Sequence, residues 1–144
     1  MPNRLLDSQV SVNSSATGSI SVPVTSTPTV FATLGLNATT AGPNLEVQFT
    51  VTATVSVAVA AVITPVTISV QRVVAGVPTT IYSVTTDLPI VTALSNTVIT
   101  FDGADFHPPA GFLVYQALIS SPAGLLVFPT RVGPESMIAA AYSD

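Results

Sequence analysis

From residue 45 to residue 59 every odd position is apolar (Leu45, Val47, Phe49, Val51, Ala53, Val55, Val57, Val59), while Glu46, Gln48, Thr50, Thr52, Thr54 and Ser56 occupy even ones. A two-residue period is that of a β-strand with one buried face, because successive side chains leave a pleated backbone on opposite sides. At ~3.3 Å per residue such a run would reach about 50 Å if straight. It is therefore expected to bend or to cross a corner of a sandwich.

The rest of the chain is written the same way. Val (22 residues) and Thr (20 residues) dominate the composition, and both are β-branched types suited to a pleated, half-buried surface. No window carries i, i+3, i+4 helical patterning, so very little helix is expected. Strands are predicted over residues 8–12, 19–24, 29–36, 46–59, 66–74, 79–85, 97–101, 111–120, 125–129 and 135–142. Turns are marked by Ala41-Gly42-Pro43-Asn44, Ala75-Gly76-Val77-Pro78, Pro108-Pro109-Ala110-Gly111 and Pro122-Ala123-Gly124. Short connections and the lack of an internal repeat favour an all-β jelly-roll sandwich over a propeller. A seven-stranded immunoglobulin-like sandwich is the second choice, weakened by the absence of Cys and Trp landmarks.

Charge is scarce: three Lys plus Arg and seven Asp plus Glu in 144 residues, for a net charge of −4. Soluble domains carry roughly 25% charged residues, and a mixed charged surface is what normally keeps copies apart. A face built from hydroxyls and exposed apolar groups favours self-association. With only Arg4, Arg72 and Arg131 as cations there is no basic stripe for phosphates, which excludes nucleic acid as the expected partner. Cysteine is absent, removing disulfides, thiolate metal sites and a cysteine nucleophile together. The apolar run 57–63 is far shorter than the ~20 residues of a membrane helix. The first twelve residues lack the apolar stretch and cleavage site of a secretory leader, so none is expected.

Few residues of the chain suggest chemistry. His107, the single histidine, adjoins Pro108-Pro109 and reads as a solvated loop residue. Asp102 and Asp105 around Gly103 offer two carboxylates where calcium takes six to eight oxygens, so a solvated turn is expected there. No G-x-S-x-G, no carboxylate pair beside a histidine and no phosphate-cradling glycine loop occurs. The expectation is a protein that is not an enzyme and uses no cofactor or metal. Asn13-Ser14-Ser15 and Asn37-Ala38-Thr39 match the N-glycosylation pattern at a level chance supplies in so Ser/Thr-rich a chain.

Two features point to assembly. Residues 1–18 pair an apolar cluster (Leu5, Leu6, Val10, Val12) with a hinge-like Asn13-Ser14-Ser15-Ala16-Thr17-Gly18 stretch. They are expected to act as an assembly arm adding a strand to a neighbour, ahead of a sandwich domain over 19–144. Residues 112–119 are apolar on both faces, with Phe112, Val114 and Leu118 on one and Leu113, Tyr115, Ala117 and Ile119 on the other. The second face needs a cover, either a sheet or a subunit. The small apolar strand from Met137, with Ile138 and Tyr142, is a further candidate intersubunit strand.

Val98-Ile99-Thr100-Phe101, Asp105-Phe106-His107-Pro108-Pro109-Ala110-Gly111, Leu113-Val114-Tyr115, Arg131-Val132-Gly133-Pro134-Glu135-Ser136 and Ala139-Ala140-Ala141-Tyr142 together resemble the jelly rolls of the tumour-necrosis-factor and complement type found on Bacillus-group spore surfaces. The likeness spans residues 19–144 and rests on strand and turn pattern. With an arm in place of a collagen-like stalk, the chain looks most like a fibre-forming endospore appendage subunit. That resemblance implies a homotrimer lined by apolar strands, stacked head to tail through its arms into a fibre at the spore surface, with anchor and tip proteins as further partners. Without cysteine, such a fibre is held noncovalently. The rival reading is an adhesive or receptor-binding head at a spore filament tip or on a phage fibre. Sugar-binding heads use exposed rings, and Tyr82, Tyr115 and Tyr142 all fall within expected strands.

Overall fold

The computed structural model describes residues 4–57, 63–88, 95–125 and 128–144. Among these no helix forms, and ten strands follow in order: β1 (Arg4–Ser14), β2 (Val22–Pro23), β3 (Thr29–Ala38), β4 (Glu46–Val57), β5 (Thr64–Val74), β6 (Val77–Leu88), β7 (Ser95–Phe106), β8 (Gly111–Ser120), β9 (Thr130–Arg131) and β10 (Glu135–Ser143).

The long strands pair as nested hairpins. β5 and β6 meet across Ala75-Gly76, where both residues have positive φ (52° and 78°), as a two-residue hairpin turn requires. Outside them β4 pairs β7, then β3 pairs β8, then β1 pairs β10, all antiparallel. Folding that nested ribbon over itself gives two sheets. In the first, β4 lies between β10 and β7, β1 forms the edge beyond β10, and short β9 continues the β10 line and pairs β2; the second runs β3-β8-β5-β6. This is the jelly-roll sandwich.

The core lies between the sheets and follows the two-residue period. Val47, Phe49, Val51, Ala53, Val55 and Val57 are all buried, facing Val66, Ile68 and Val70 of β5 and Leu113, Tyr115, Ala117 and Ile119 of β8. Thr54 is also buried on the polar face of β4, because the loop before β10 folds over it and its Oγ1 donates to the Pro134 carbonyl at 3.0 Å.

Several expectations are corrected. Of residues 19–24 only Val22–Pro23 form a strand, and Leu125, Phe128 and Pro129 lie in none, the ladder resuming at Thr130. Part of the predicted long strand, 58–59, lies outside the described residues. β7 runs to Phe106, five residues past its expected end, and takes in the segment read as a solvated turn. Asp102 does face solvent, but Asp105 points inward and is buried. The chain tolerates this because Arg72 neutralises it. The second apolar face of β8 is covered in part by the described residues, Leu118 being buried while Phe112 is 73% exposed and Val114 36%.

Candidate assembly face

Residues 4–14 lie as an edge strand on the sheet of their own chain. Opposite β10 the register sets Leu5 beside Tyr142, Val10 beside Ile138 and Val12 beside Ser136. Across β10 the same rows continue to Glu46 and Phe106, to Thr50 and Asp102, and to Thr52 and Thr100. Leu5, Val10, Val12 and Ile138 are each about half exposed or more, at 56%, 61%, 55% and 49%. A register shift between Leu5 and Asp7 turns Leu6 the other way, to pack against the core. Three of the four predicted arm residues thus share one outer face with Ile138 and Tyr142. Phe112, Val114 and Leu118 sit on the opposite sheet, and nothing brings the two groups together.

β1 also protects the free edge of the second sheet. Asp7 Oδ2 accepts the Asn37 backbone N–H at 2.8 Å, and Ser11 Oγ accepts that of Thr33 at 3.2 Å. The amide of Asn37 holds the Asp7 carboxyl below its ordinary value. At its far end Asn13 Nδ2 donates to Glu135. Gly133 lies so close that an added Cβ would meet the Ala16 carbonyl at 2.8 Å, and Gly18 N donates to the Val132 carbonyl at 2.8 Å. Short side chains and a bare glycine let this end seat closely.

Among the described residues two ion pairs are internal. Arg72 Nη1 donates to both Asp105 oxygens at 2.9 and 2.7 Å, and the buried Tyr115 hydroxyl donates to Asp105 Oδ2 at 2.7 Å. Burial and this carboxylate together push the Tyr115 hydroxyl well above the ordinary phenol range. Arg131 pairs with Glu135, its Nε donating at 3.0 Å, and lies 5.8 Å from the centre of the Phe31 ring. The alternation contained this signal: Arg72 continues Val66, Ile68 and Val70, and Asp105 continues Ile99, Phe101 and Gly103. Reading Asp102 and Asp105 as one solvated turn hid it.

Asp102 and Asp105 occupy opposite faces of β7 and do not form a common site. His107 is exposed at φ 56°, its N–H bonded to the Leu45 carbonyl at 2.9 Å. The outer face of the first sheet holds a shallow depression of about 680 Å³, lined by Glu46, Gln48, Thr50, Asp102, Ile138 and Tyr142 among others. It offers carboxylates, hydroxyls and apolar surface, with no nucleophile and base placed together.

No protein-family model matches the chain, and no curated protein matches it in sequence. Its fold is similar to solved structures. Eiger TNF from S. frugiperda is 11% identical with a TM-score of 0.52, the match covering 98% of this chain and 94% of that one. Infectious bursal disease virus of the Gx strain is 9% identical with a TM-score of 0.51, covering 96% of this chain. The Gt strain is 9% identical with a TM-score of 0.50, covering 99%. The chain spans 33% and 38% of the length of those two viral chains. The fold is a jelly roll of the kind shared by TNF-like and viral proteins.

Proposed function

We propose that this chain is a structural subunit that self-assembles noncovalently, trimers stacking head to tail through the residue 1–18 arms into a fibre at the spore surface. The observation that carries the reading is the alignment of Leu5, Val10, Val12, Ile138 and Tyr142 on one outer face. Exposed apolar patches of this kind mark interaction sites. A second patch supports a directional contact: at the opposite side of the sandwich β6 and β7 are edge strands among the described residues, with a depression of about 300 Å³ between them lined by Val84, Ile99 and Phe101. Two different patches joining copies make a heterologous contact, which closes as a ring or propagates as a filament.

Strand exchange supplies a route for the arm. If β1 of one copy takes the place of β1 in the next, the β10 ladder and the bonds of Asp7, Ser11 and Asn13 reform between chains with no new chemistry. Exchange of an identical element is a low-cost way to join protomers. The test is negative-stain electron microscopy of the full chain. Long filaments are expected, and their persistence after deletion of residues 1–12 would refute the arm's role. Discrete three-lobed particles would instead favour a tip or head domain that binds another molecule. The adhesive reading has its own support in Phe106 and Phe112, 67% and 73% exposed, and predicts that Phe112→Ala abolishes adhesion while leaving assembly intact.

A further inference from the structure

Self-assembly over the outer face of the first sheet raises a charge problem. Glu46 and Asp102 both line the depression there. Each meets only a neutral donor: Gln48 Nε2 lies 3.0 Å from Glu46 Oε1, and Thr50 Oγ1 lies 2.6 Å from Asp102 Oδ1. Among the described residues neither forms an ion pair. Covering a carboxylate without a cation is costly, since its hydration is lost and nothing replaces it.

The sequence limits what can answer that charge. It contains no lysine and three arginines. Arg72 and Arg131 are committed to Asp105 and Glu135 inside the sandwich. Arg4 is exposed, and both of its bonds use Nη2, to the main-chain oxygens of Thr40 at 2.9 Å and Asp144 at 3.1 Å. Its Nε and Nη1 make no bond to the described residues, so the guanidinium can take a carboxylate without leaving its seat. Within one chain Arg4 lies on β1, and β10 separates it from Glu46 on β4.

We infer that the depression between Glu46 and Asp102 receives the Arg4 guanidinium of a second copy of this chain. The charge complementarity selects that occupant: the same outer face carries the unpaired carboxylates, and Arg4 is the one exposed cationic side chain among the described residues at neutral pH. Arg4 stands in the Ser143 row of the ladder and Leu5 in the Tyr142 row, so their side chains leave β1 on opposite faces and the contact rests on the charge-assisted bond alone. This rests on the self-assembly reading above and assigns its polar partner.

Analytical ultracentrifugation at pH 7.5 and low salt tests it on the full chain, with circular dichroism verifying the fold of each variant. Arg4→Gln is expected to weaken self-association about tenfold, and Arg4→Glu further. Combining Arg4→Glu with Glu46→Arg and Asp102→Arg is expected to restore association to within about threefold of the parent. Raising the salt should shrink the gap between parent and Arg4→Gln, because screening acts on the charge pair. Unchanged association in both single variants, or failure of the charge swap to rescue, overturns the inference while leaving self-assembly standing. A parent chain that stays monomeric overturns both.

Discussion

The Asp7 carboxylate accepts the backbone N–H of Asn37 at 2.8 Å, tying the first strand of one sheet to the free edge of the other. A strand edge with bare amides is a template for wrong pairing, and here one side chain and Ser11 occupy it. The bond lowers the Asp7 pKa from its ordinary 3.8, which fixes the sign of its pH dependence. Its contribution is complete above that value and is lost as the pH falls through the lower folded one. The protection of the Asn37 amide, its exchange measured against the intrinsic rate at each pH, should therefore fall in acid, and Asp7→Asn should abolish that acid dependence.

The buried cluster of Arg72, Asp105 and Tyr115 is expected to dominate single-site stability. Asp105→Ala leaves Arg72 without its partner and should cost about 3 kcal/mol. Tyr115→Phe removes one bond to the carboxylate and should cost about 1 to 2 kcal/mol. Urea denaturation checks both.

The raised pKa of Tyr115 sets the alkaline limit. A folded value above the unfolded one means that this contribution is whole below the ordinary 10.0 and declines as the pH rises beyond it. Stability should fall above about pH 10, and Tyr115→Phe should flatten that fall.

Gly103 faces the core where the rings pack. A Cβ there would lie 2.6 Å from Phe49 Cζ and 3.0 Å from Tyr82 Cδ2, in the cluster where Tyr82 stacks on Phe101 at 4.8 Å. Gly103→Ala should destabilise by about 1 to 3 kcal/mol through overpacking, measured as a lower denaturation midpoint.

The fold was largely legible because alternation is a direct imprint of the pleat. β8 matched its expected bounds, and the buried face of β4 was read residue by residue. What the sequence concealed came from tertiary contacts. Asp102 to Phe106 read as a turn because carboxylates and glycine are poor strand formers, yet Arg72 on another strand neutralises Asp105 and the Phe49 ring occupies the space a side chain at Gly103 would need. Leu6 grouped with Leu5 by composition, and only a register shift separates them. The apolar character of Val10 and Ile138 was visible; their adjacency was not, because it depends on pairing the first long strand with the last.

The claim that the outer face of the first sheet joins copies of this chain is tested most directly by light scattering on the eluting full-length protein. Association through this face predicts a mass above 14.7 kDa that rises with loading. It also predicts loss of that rise in Val10→Ser combined with Ile138→Ser, with the denaturation midpoint almost unchanged. A parent chain that elutes as a monomer at every loading, or a double variant that assembles as the parent does, would contradict it.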